Sequence, residues 1–287
     1  MVVADRRLDG VVARDHVGVA LDCAAAVGWL QPPVPAVTLI VGLSEPVRSR
    51  TGALPDDWIG GLGETGDVVE MPRRHGSLDI KLTPLGAYSV LGVPVSELAG
   101  GCVPLEDVFG RPGAQLGDLV RDTPDWASRF ELVEAFLLRR AGAGPQPTPI
   151  VARAWSLLCA SDGRLPIGEL AATVGASRRY LAARFREEVG LGPKKMARVL
   201  RFADVRRRLE AEPAGLADIA QACGYCDQAH LNRDFRELAG TTPGDFVARQ
   251  TAVAGRAEPQ VTFVQDVATP GRVGSARLPR DRRRPAK

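Results

Sequence analysis

Two segments in the C-terminal half of this 287-residue chain carry arginine and amide side chains at helical spacing. The residues that share one face of an expected helix are Arg179, Ala182, Ala183 and Arg186 in the first segment, and Ala229, Asn232, Arg233 and Arg236 in the second. Arginine donates two hydrogen bonds to guanine and asparagine pairs with adenine in the major groove, and small neighbours permit close approach. The spacing therefore predicts two helical faces that contact base edges of duplex DNA.

Both segments belong to a pattern that occurs twice. The first copy consists of Leu170, Ala171, Val174, Gly175, Ser177, Leu181, Phe185, Gly190 and Pro193, and the second of Ile219, Ala220, Cys223, Gly224, Asp227, Leu231, Phe235, Gly240 and Pro243. The offset is 49 residues up to the glycine and 50 after it, which indicates one inserted residue in the second turn. Each copy reads as a short helix, a glycine turn and a second helix, the order of a helix-turn-helix. Two copies predict that one polypeptide touches the duplex twice.

The second helix of each copy has local signals for its start and its buried face. Ser177 and Asp227 stand where an N-cap would accept hydrogen bonds from the first free backbone N–H groups. Leu181, Phe185 and Val189 recur at four-residue steps, which predicts a buried stripe opposite the arginine face.

A basic helix is predicted between the two copies. Residues 194–211 are rich in Arg, Lys, Leu and Ala, with Pro193 and Pro213 as start and stop signals. Such a helix is about 27 Å long, close to the ~34 Å between successive major grooves on one side of B-DNA. The charge balance agrees, since acidic residues predominate before residue 153 and basic residues after it. This asymmetry is expected where only one part of a chain meets phosphate.

Residues 215–246, which read GLADIAQACGYCDQAHLNRDFRELAGTTPGDF, closely resemble the signature of AraC-type transcription regulators. Residues 165–193 resemble the first helix-turn-helix of the same family, and the resemblance covers residues 151–250. It implies a seven-helix domain that binds double-stranded DNA through a pair of helix-turn-helices. Carried over by position, the base-contacting residues are Arg179, Ala182, Ala183, Gln228, Ala229, Asn232 and Arg233.

Ala182 and Ala183 depart from the family pattern, because many members have long polar side chains there. Base contacts of the first helix are therefore expected from Arg178 and Arg179, near its N-terminus. The resemblance leaves RNA polymerase and a small effector as candidate partners besides DNA. It leaves either a monomer or a homodimer as the oligomeric state.

The N-terminal half is predicted to be β-rich. Apolar and alternating runs between Gly, Pro, Asp and Ser residues indicate antiparallel strands at residues 17–23, 34–43, 67–71 and 77–82. Helices are expected at 84–91, 115–120 and 125–140, followed by a Gly- and Pro-rich linker at 141–149 and a helix at 150–160. The expected fold class is α+β, with a β-rich domain over 1–145, an all-α domain with two helix-turn-helix motifs over 150–250, and a mostly disordered basic tail over 251–287.

Parts of this half are also similar to a subgroup of the same family. Residues 82–110 and 263–266 are similar to actinobacterial-type regulators whose N-terminal domain is poorly characterised. In better-known relatives this domain is a cupin-like barrel that binds a small effector. The metal-binding histidines of enzymatic cupins are missing, since only His16 and His75 occur in this half. We therefore expect no metal, no cofactor and no catalytic activity.

The five cysteines are scattered through the chain, which favours a reducing cytoplasm over a disulfide framework. Cys223, Cys226 and His230 have a spacing that could hold a metal or a redox pair. Cys223 occupies the position of Val174 in the repeat, however, and packing is therefore the favoured interpretation. Without a signal-peptide stretch or an apolar run of membrane length, the sequence predicts a cytoplasmic protein.

Two alternatives to an effector-controlled regulator stay open. A reactive-cysteine DNA-repair or alkyl-transfer protein with a helix-turn-helix module would need an activated thiol beside a base such as His or Glu. Cys102 and Cys23 have apolar neighbours, which predicts that both thiols are buried. The other alternative is a DNA-binding protein that has no effector.

Overall fold

The computed structural model describes residues 6–22, 25–50, 52–211, 215–254 and 262–264. It shows an α+β chain in which a β-rich N-terminal part is followed by helices, as predicted. Within the described ranges, no helix combines the length and the apolar character needed to cross a membrane.

The N-terminal part contains two antiparallel sheets. The strands are, in chain order, β1 (Val12–Asp22), β2 (Val27–Gln31), β3 (Val37–Gly42), β4 (Arg48–Ser49), β5 (Gly52–Ala53), β6 (Asp57–Gly60), β7 (Asp67–Met71), β8 (Arg74–Leu82), β9 (Cys102–Pro104) and β10 (Thr262–Val264). The six-stranded sheet has the order β10-β1-β8-β3-β6-β9, and the four-stranded sheet has the order β2-β7-β4-β5. In the centre of the larger sheet, Leu39 lies opposite Ile59 on one side and Ile80 on the other, and all three side chains are fully buried.

Some strands have the bounds predicted from the sequence. Others are longer than predicted, because pairing with a neighbouring strand extends them. β7 has the predicted bounds. β1 begins at Val12, which pairs with Leu82, and β8 begins at Arg74, which pairs with Asp22, so both strands begin several residues before the predicted positions. The two-residue strands β4 and β5 were not predicted, since two residues show no alternation. The cupin-like barrel stays a prediction.

Four helices cover the larger sheet. They are α1 (Pro84–Leu91), α2 (Leu105–Phe109), α3 (Arg111–Asp122) and α4 (Trp126–Ala143), with 3₁₀ turns at Arg6–Leu8 and Val95–Leu98. Thr83 caps α1 by accepting the Gly86 N–H at 2.9 Å, and Asp125 caps α4 by accepting the Ser128 N–H at 2.9 Å. The helix predicted at 115–120 begins earlier, at Arg111, with a proline in its first turn.

Seven helices follow among the described residues, the number that the resemblance implies. They are α5 (Pro149–Ala160), α6 (Ile167–Thr173), α7 (Arg178–Val189), α8 (Pro193–Ala211), α9 (Leu216–Ala222), α10 (Gln228–Ala239) and α11 (Pro243–Ala254). α4 continues into the segment that was predicted as linker, so the connection between the two parts is limited to residues 144–148. Residues 251–254 end α11 and residues 262–264 pair with β1, while the rest of the predicted tail, 255–261 and 265–287, lies outside the described part.

The hydrophobic core does not follow the boundary between the two parts. One cluster of buried side chains runs from Leu8 in the N-terminal part through the first helix-turn-helix to Val199 of α8. A second cluster begins at Phe202 of α8 and holds the second helix-turn-helix, with Phe235 and Phe246 among its buried rings. The first repeat unit therefore shares its core with the sheet, whereas the second unit has a separate core, against which Leu30 of β2 packs.

Candidate nucleic-acid interface

α7 presents an arginine face outward because its apolar stripe is buried. Leu181, Phe185 and Val189 are fully buried. Ser177 caps the helix, and its hydroxyl accepts the Tyr180 N–H at 3.2 Å. The residues predicted to contact DNA are all exposed on this helix, namely Arg178, Arg179, Ala182, Ala183 and Arg186.

α10 repeats this arrangement. Leu231, Phe235 and Leu238 are buried, and the Asp227 carboxylate caps the helix by accepting the His230 N–H at 2.6 Å. The predicted contact residues are again exposed, namely Gln228, Ala229, Arg233 and Arg236, while Asn232 is half-buried. The amide oxygen of Asn232 is buried and has no hydrogen-bond partner among the described residues.

The turns before both helices need glycine. Gly175 and Gly224 have φ angles of 69° and 76°, in the left-handed region that other residues rarely adopt. The repeated glycine in the sequence therefore marks a backbone requirement that fixes the angle between the two helices of each unit.

The arginines on the outward faces of α7 and α10 differ in their ion pairs from Arg184, which lies at the side of α7. Arg184 of α7 pairs with Glu187 and Glu188. Within the described ranges, no carboxylate lies within ion-pair distance of Arg178, Arg179, Arg186, Arg233 or Arg236. These five guanidinium groups are therefore available to bind an external anion or acceptor.

A buried carboxylate, Asp204, holds the basic helix α8 against the second unit. Its role was not predicted from the sequence. The Asp204 side chain is 1% exposed and accepts hydrogen bonds from three arginines, Arg164, Arg207 and Arg208. The Cys223 thiol also donates to it, at 3.3 Å between Sγ and Oδ2. A buried charge is tolerated when it is paired and hydrogen-bonded, and the three guanidinium groups provide this pairing.

A second carboxylate links α8 to α10. Asp234 is bound by Arg198 of α8, which also binds Glu237 one turn further along α10. The Tyr225 hydroxyl donates to Asp234 at 2.8 Å, and the Arg201 guanidinium lies 5.8 Å from the centre of the Tyr225 ring. Burial and the nearby Asp234 charge raise the pKa of Tyr225, so its hydroxyl stays a donor. These contacts fix the rotation of α10 about its own axis relative to α8.

The two cysteines of the second unit are both free and differ in exposure. Cys223 is fully buried, as the repeat predicts, while Cys226 is exposed in the turn. Burial raises the pKa of the Cys223 thiol to about 12, and the Asp204 charge adds to this effect. No group of three His, Cys, Asp or Glu side chains suited to a metal occurs among the described residues.

The prediction for Cys102 is wrong, because this residue is exposed. Cys102 is the first residue of β9, which pairs with β6 on one side and forms an edge of the larger sheet. The apolar residues next to Cys102 in the sequence therefore do not cover its side chain. Cys23 lies outside the described residues.

Comparison with known proteins agrees with this geometry. A helix-turn-helix domain model matches residues 170–249. The HTH-type transcriptional regulator GlxA of Rhizobium meliloti (strain 1021) is 29% identical over 173 residues, which cover 58% of this chain and 53% of that regulator. A putative AraC-like transcription regulator of Streptomyces lividans is 36% identical over 99 residues, which cover 34% of this chain and 33% of the relative.

A solved structure of a transcriptional regulator with an AraC-type DNA-binding domain, from Chromobacterium violaceum, is 29% identical to this chain. It superposes with a TM-score of 0.33 over 36% of this chain and 92% of that chain. This chain spans about half the length of GlxA and about a third of the length of the Streptomyces regulator.

The repeated capped helices and the matching domain model define residues 170–249 as a helix-turn-helix domain. The AraC-like relatives identify this domain as one of the AraC type, which confirms the resemblance noted in the sequence.

Proposed function

We propose that this protein is a transcription regulator that inserts α7 and α10, the reading helices, into successive major grooves of one duplex. The observation that carries the proposal is the pair of exposed arginine faces without internal ion pairs, one on each copy of the repeat. α8, which joins the copies, has 19 residues and is therefore about 28 Å long. This length is near the ~34 Å between major-groove segments on one side of B-DNA.

The positions along each helix suggest different roles for the candidate residues. Residues in the N-terminal half of a recognition helix contact base edges. We assign this role to Arg178 and Arg179 of α7 and, on α10, to Gln228, Asn232 and Arg233, with Ala182, Ala183 and Ala229 allowing close approach. We assign phosphate contacts to Arg186 and Arg236, which lie nearer the C-terminal ends of the same helices.

The named relatives support control of transcription as the purpose of DNA binding. GlxA is described as an HTH-type transcriptional regulator and the Streptomyces protein as a putative AraC-like regulator. For the whole chain we propose that the N-terminal part binds a small effector. RNA polymerase is a further proposed partner, and we propose that the protein acts as a monomer or a homodimer in the cytoplasm.

The environment of Cys223 opposes the alkyl-transfer alternative for this cysteine. An attacking thiol must form a thiolate, and the raised pKa of Cys223 together with its donation to Asp204 opposes this.

Calorimetry of the full chain with candidate effectors distinguishes a sensor from a protein without effector. The full chain is needed because the N-terminal part shares its core with the first helix-turn-helix.

The experiment that tests the proposal is selection of bound fragments from the source genome at one physiological salt concentration, followed by footprinting. We expect each protomer to protect two major-groove segments about one helical turn apart on the same side of the duplex. Protection of a single segment per protomer, or equal retention of all fragments, would contradict the proposal.

A further inference from the structure

The segment between β6 and β7, residues 61–66, lies where the N-terminal part meets both helix-turn-helix units. It is fixed to its own domain by backbone hydrogen bonds, from the Gly61 N–H to the Gly101 carbonyl at 3.0 Å and from the Gly100 N–H to the Leu62 carbonyl at 3.2 Å. A Cβ at Gly61 would lie only 1.9 Å from the Leu98 carbonyl oxygen. The segment is therefore held closely against the 3₁₀ turn Val95–Leu98.

The first contact with the DNA-binding part is at the end of α7. Leu62 is almost completely buried, and Gly190, the C-cap of α7, packs against it and against Val95. A Cβ at Gly190 would lie 3.3 Å from Leu62 Cδ1 and 3.0 Å from Val95 Cγ1. Glu188, in the last turn of α7, is buried and accepts the Thr148 N–H at 2.8 Å. The C-terminal end of the first reading helix is thus enclosed by the N-terminal part and the connection.

The second contact is at the end of α10. The Gly66 N–H donates to the Leu238 carbonyl at 2.6 Å. Leu238 lies in the last turn of the helix, where carbonyl groups lack a partner within the helix. A Cβ at Gly66 would lie 2.8 Å from the Gln31 carbonyl oxygen and 3.3 Å from that of Leu238, so only glycine fits without displacement.

A third contact joins the segment to α8. Glu64 forms an ion pair with Lys195 in the first turn of that helix. Both side chains are more than a third exposed, so the pair contributes little to stability. It nevertheless restricts how α8 can tilt relative to the N-terminal part.

The contacts with α7 and α10 lie at the C-terminal ends of these helices, far from the candidate base-contacting residues, and the third contact lies on α8, which carries none of them. On α10, Gln228 and Arg233 lie in the N-terminal half, while Leu238 lies in the last turn. The segment can therefore hold both reading helices while their outward faces stay uncovered. Its contacts do not compete with DNA.

We infer that Leu62, Glu64 and Gly66 of the segment 61–66 are positioning residues that set the distance and rotation between the two reading helices. The protein would then select the spacing of its two DNA motifs through its N-terminal part, and not through α8 alone. This inference rests on the proposed function. It assigns spacing specificity to residues outside the DNA-binding domain.

The test compares Gly66→Ala with Gly63→Ala in the full chain, on a selected operator with none, one or two base pairs inserted between the motifs. Each inserted base pair rotates the second motif by about 35° around the duplex axis. Gly63→Ala is the matched control, because a Cβ there would lie 3.4 Å from the Thr65 carbonyl oxygen, an ordinary contact.

We expect the wild type and Gly63→Ala to prefer the selected spacing by about tenfold, the size of one mismatched base pair. Gly66→Ala should reduce this preference to about threefold or less, while its affinity for DNA with a single motif stays unchanged. A wild-type spacing preference in Gly66→Ala, or an equal loss of single-motif binding, would overturn the inference.

Reversing the Glu64 to Lys195 ion pair provides a second test in case Gly66→Ala does not fold. Glu64→Lys should weaken the spacing preference, and Glu64→Lys combined with Lys195→Glu should restore it. No restoration would count against the inference. Failure of the wild type to bind any two-motif DNA would instead refute the proposed function, so the two failures are distinguishable.

Discussion

Two arginines of α10, Arg233 and Arg236, should affect DNA binding in different ways when each is replaced with alanine. Arg233 and Arg236 are both exposed on α10, so replacing either with alanine should change the free energy of unfolding by less than about 0.5 kcal/mol. Loss of a bidentate contact to a base costs about 1–3 kcal/mol of discrimination at one position. This range corresponds to about 5- to 150-fold in the ratio of affinities for the correct and the substituted base.

Arg233→Ala should therefore relax specificity at a single base pair of the selected operator. Arg236→Ala should weaken binding to all sequences alike and lower the slope of log affinity against log salt by about 0.9, the value for one phosphate contact. The assay is fluorescence anisotropy at several salt concentrations, with operator DNA, DNA carrying each single substitution and scrambled DNA. Arg139→Ala, at an exposed position of α4, is the control that should change none of these values. Equal losses on operator and scrambled DNA from both α10 variants would refute the assigned roles.

Two further predictions concern stability and thiol chemistry. Arg198→Ala should lower the free energy of unfolding in urea by about 1–3 kcal/mol, because Asp234 is only 10% exposed and would lose its cation. Arg207→Ala should cost less than about 1 kcal/mol, since that side chain is 65% exposed; equal effects would contradict this account. Maleimide followed by mass spectrometry at pH 7 to 9 should label Cys226 in the folded protein and leave Cys223 unmodified until urea is added, since its pKa is about 12. Rapid labelling of Cys223 in the folded protein at pH 7 would show that its thiol is activated.

The helices of the DNA-binding part could be predicted from the sequence because their signals are local. The caps at Ser177 and Asp227, the apolar steps and the glycine turns lie within a few residues of the helices that they define. The pairing of Arg198 with Asp234 could not be predicted in this way. Its partners are 36 residues apart, and both look like ordinary solvated charges in the sequence.

In the N-terminal part, periodicity identified the long buried strands but not their ends or partners. Strand ends depend on the neighbouring strand, as the pairing of Asp22 with Arg74 shows. The β6–β7 segment has no sequence signal except its glycines. The requirement for Gly66 depends on a contact with Leu238, which is far away in the sequence. The exposure of Cys102 likewise depends on its place at a sheet edge.

The hydrophobic core divides within α8. The parts of the chain that unfold together are therefore not the same as the two repeat units. Met196 and Val199 pack with the sheet and the first repeat unit, while Phe202 and Val205 pack with the second. We expect hydrogen exchange to show two cooperative blocks that meet in the middle of this helix. A chimera that joins the N-terminal part and the first repeat unit to a foreign second unit should therefore be spliced between residues 199 and 202, since a cut in the 144–148 connection would open the larger apolar interior to water.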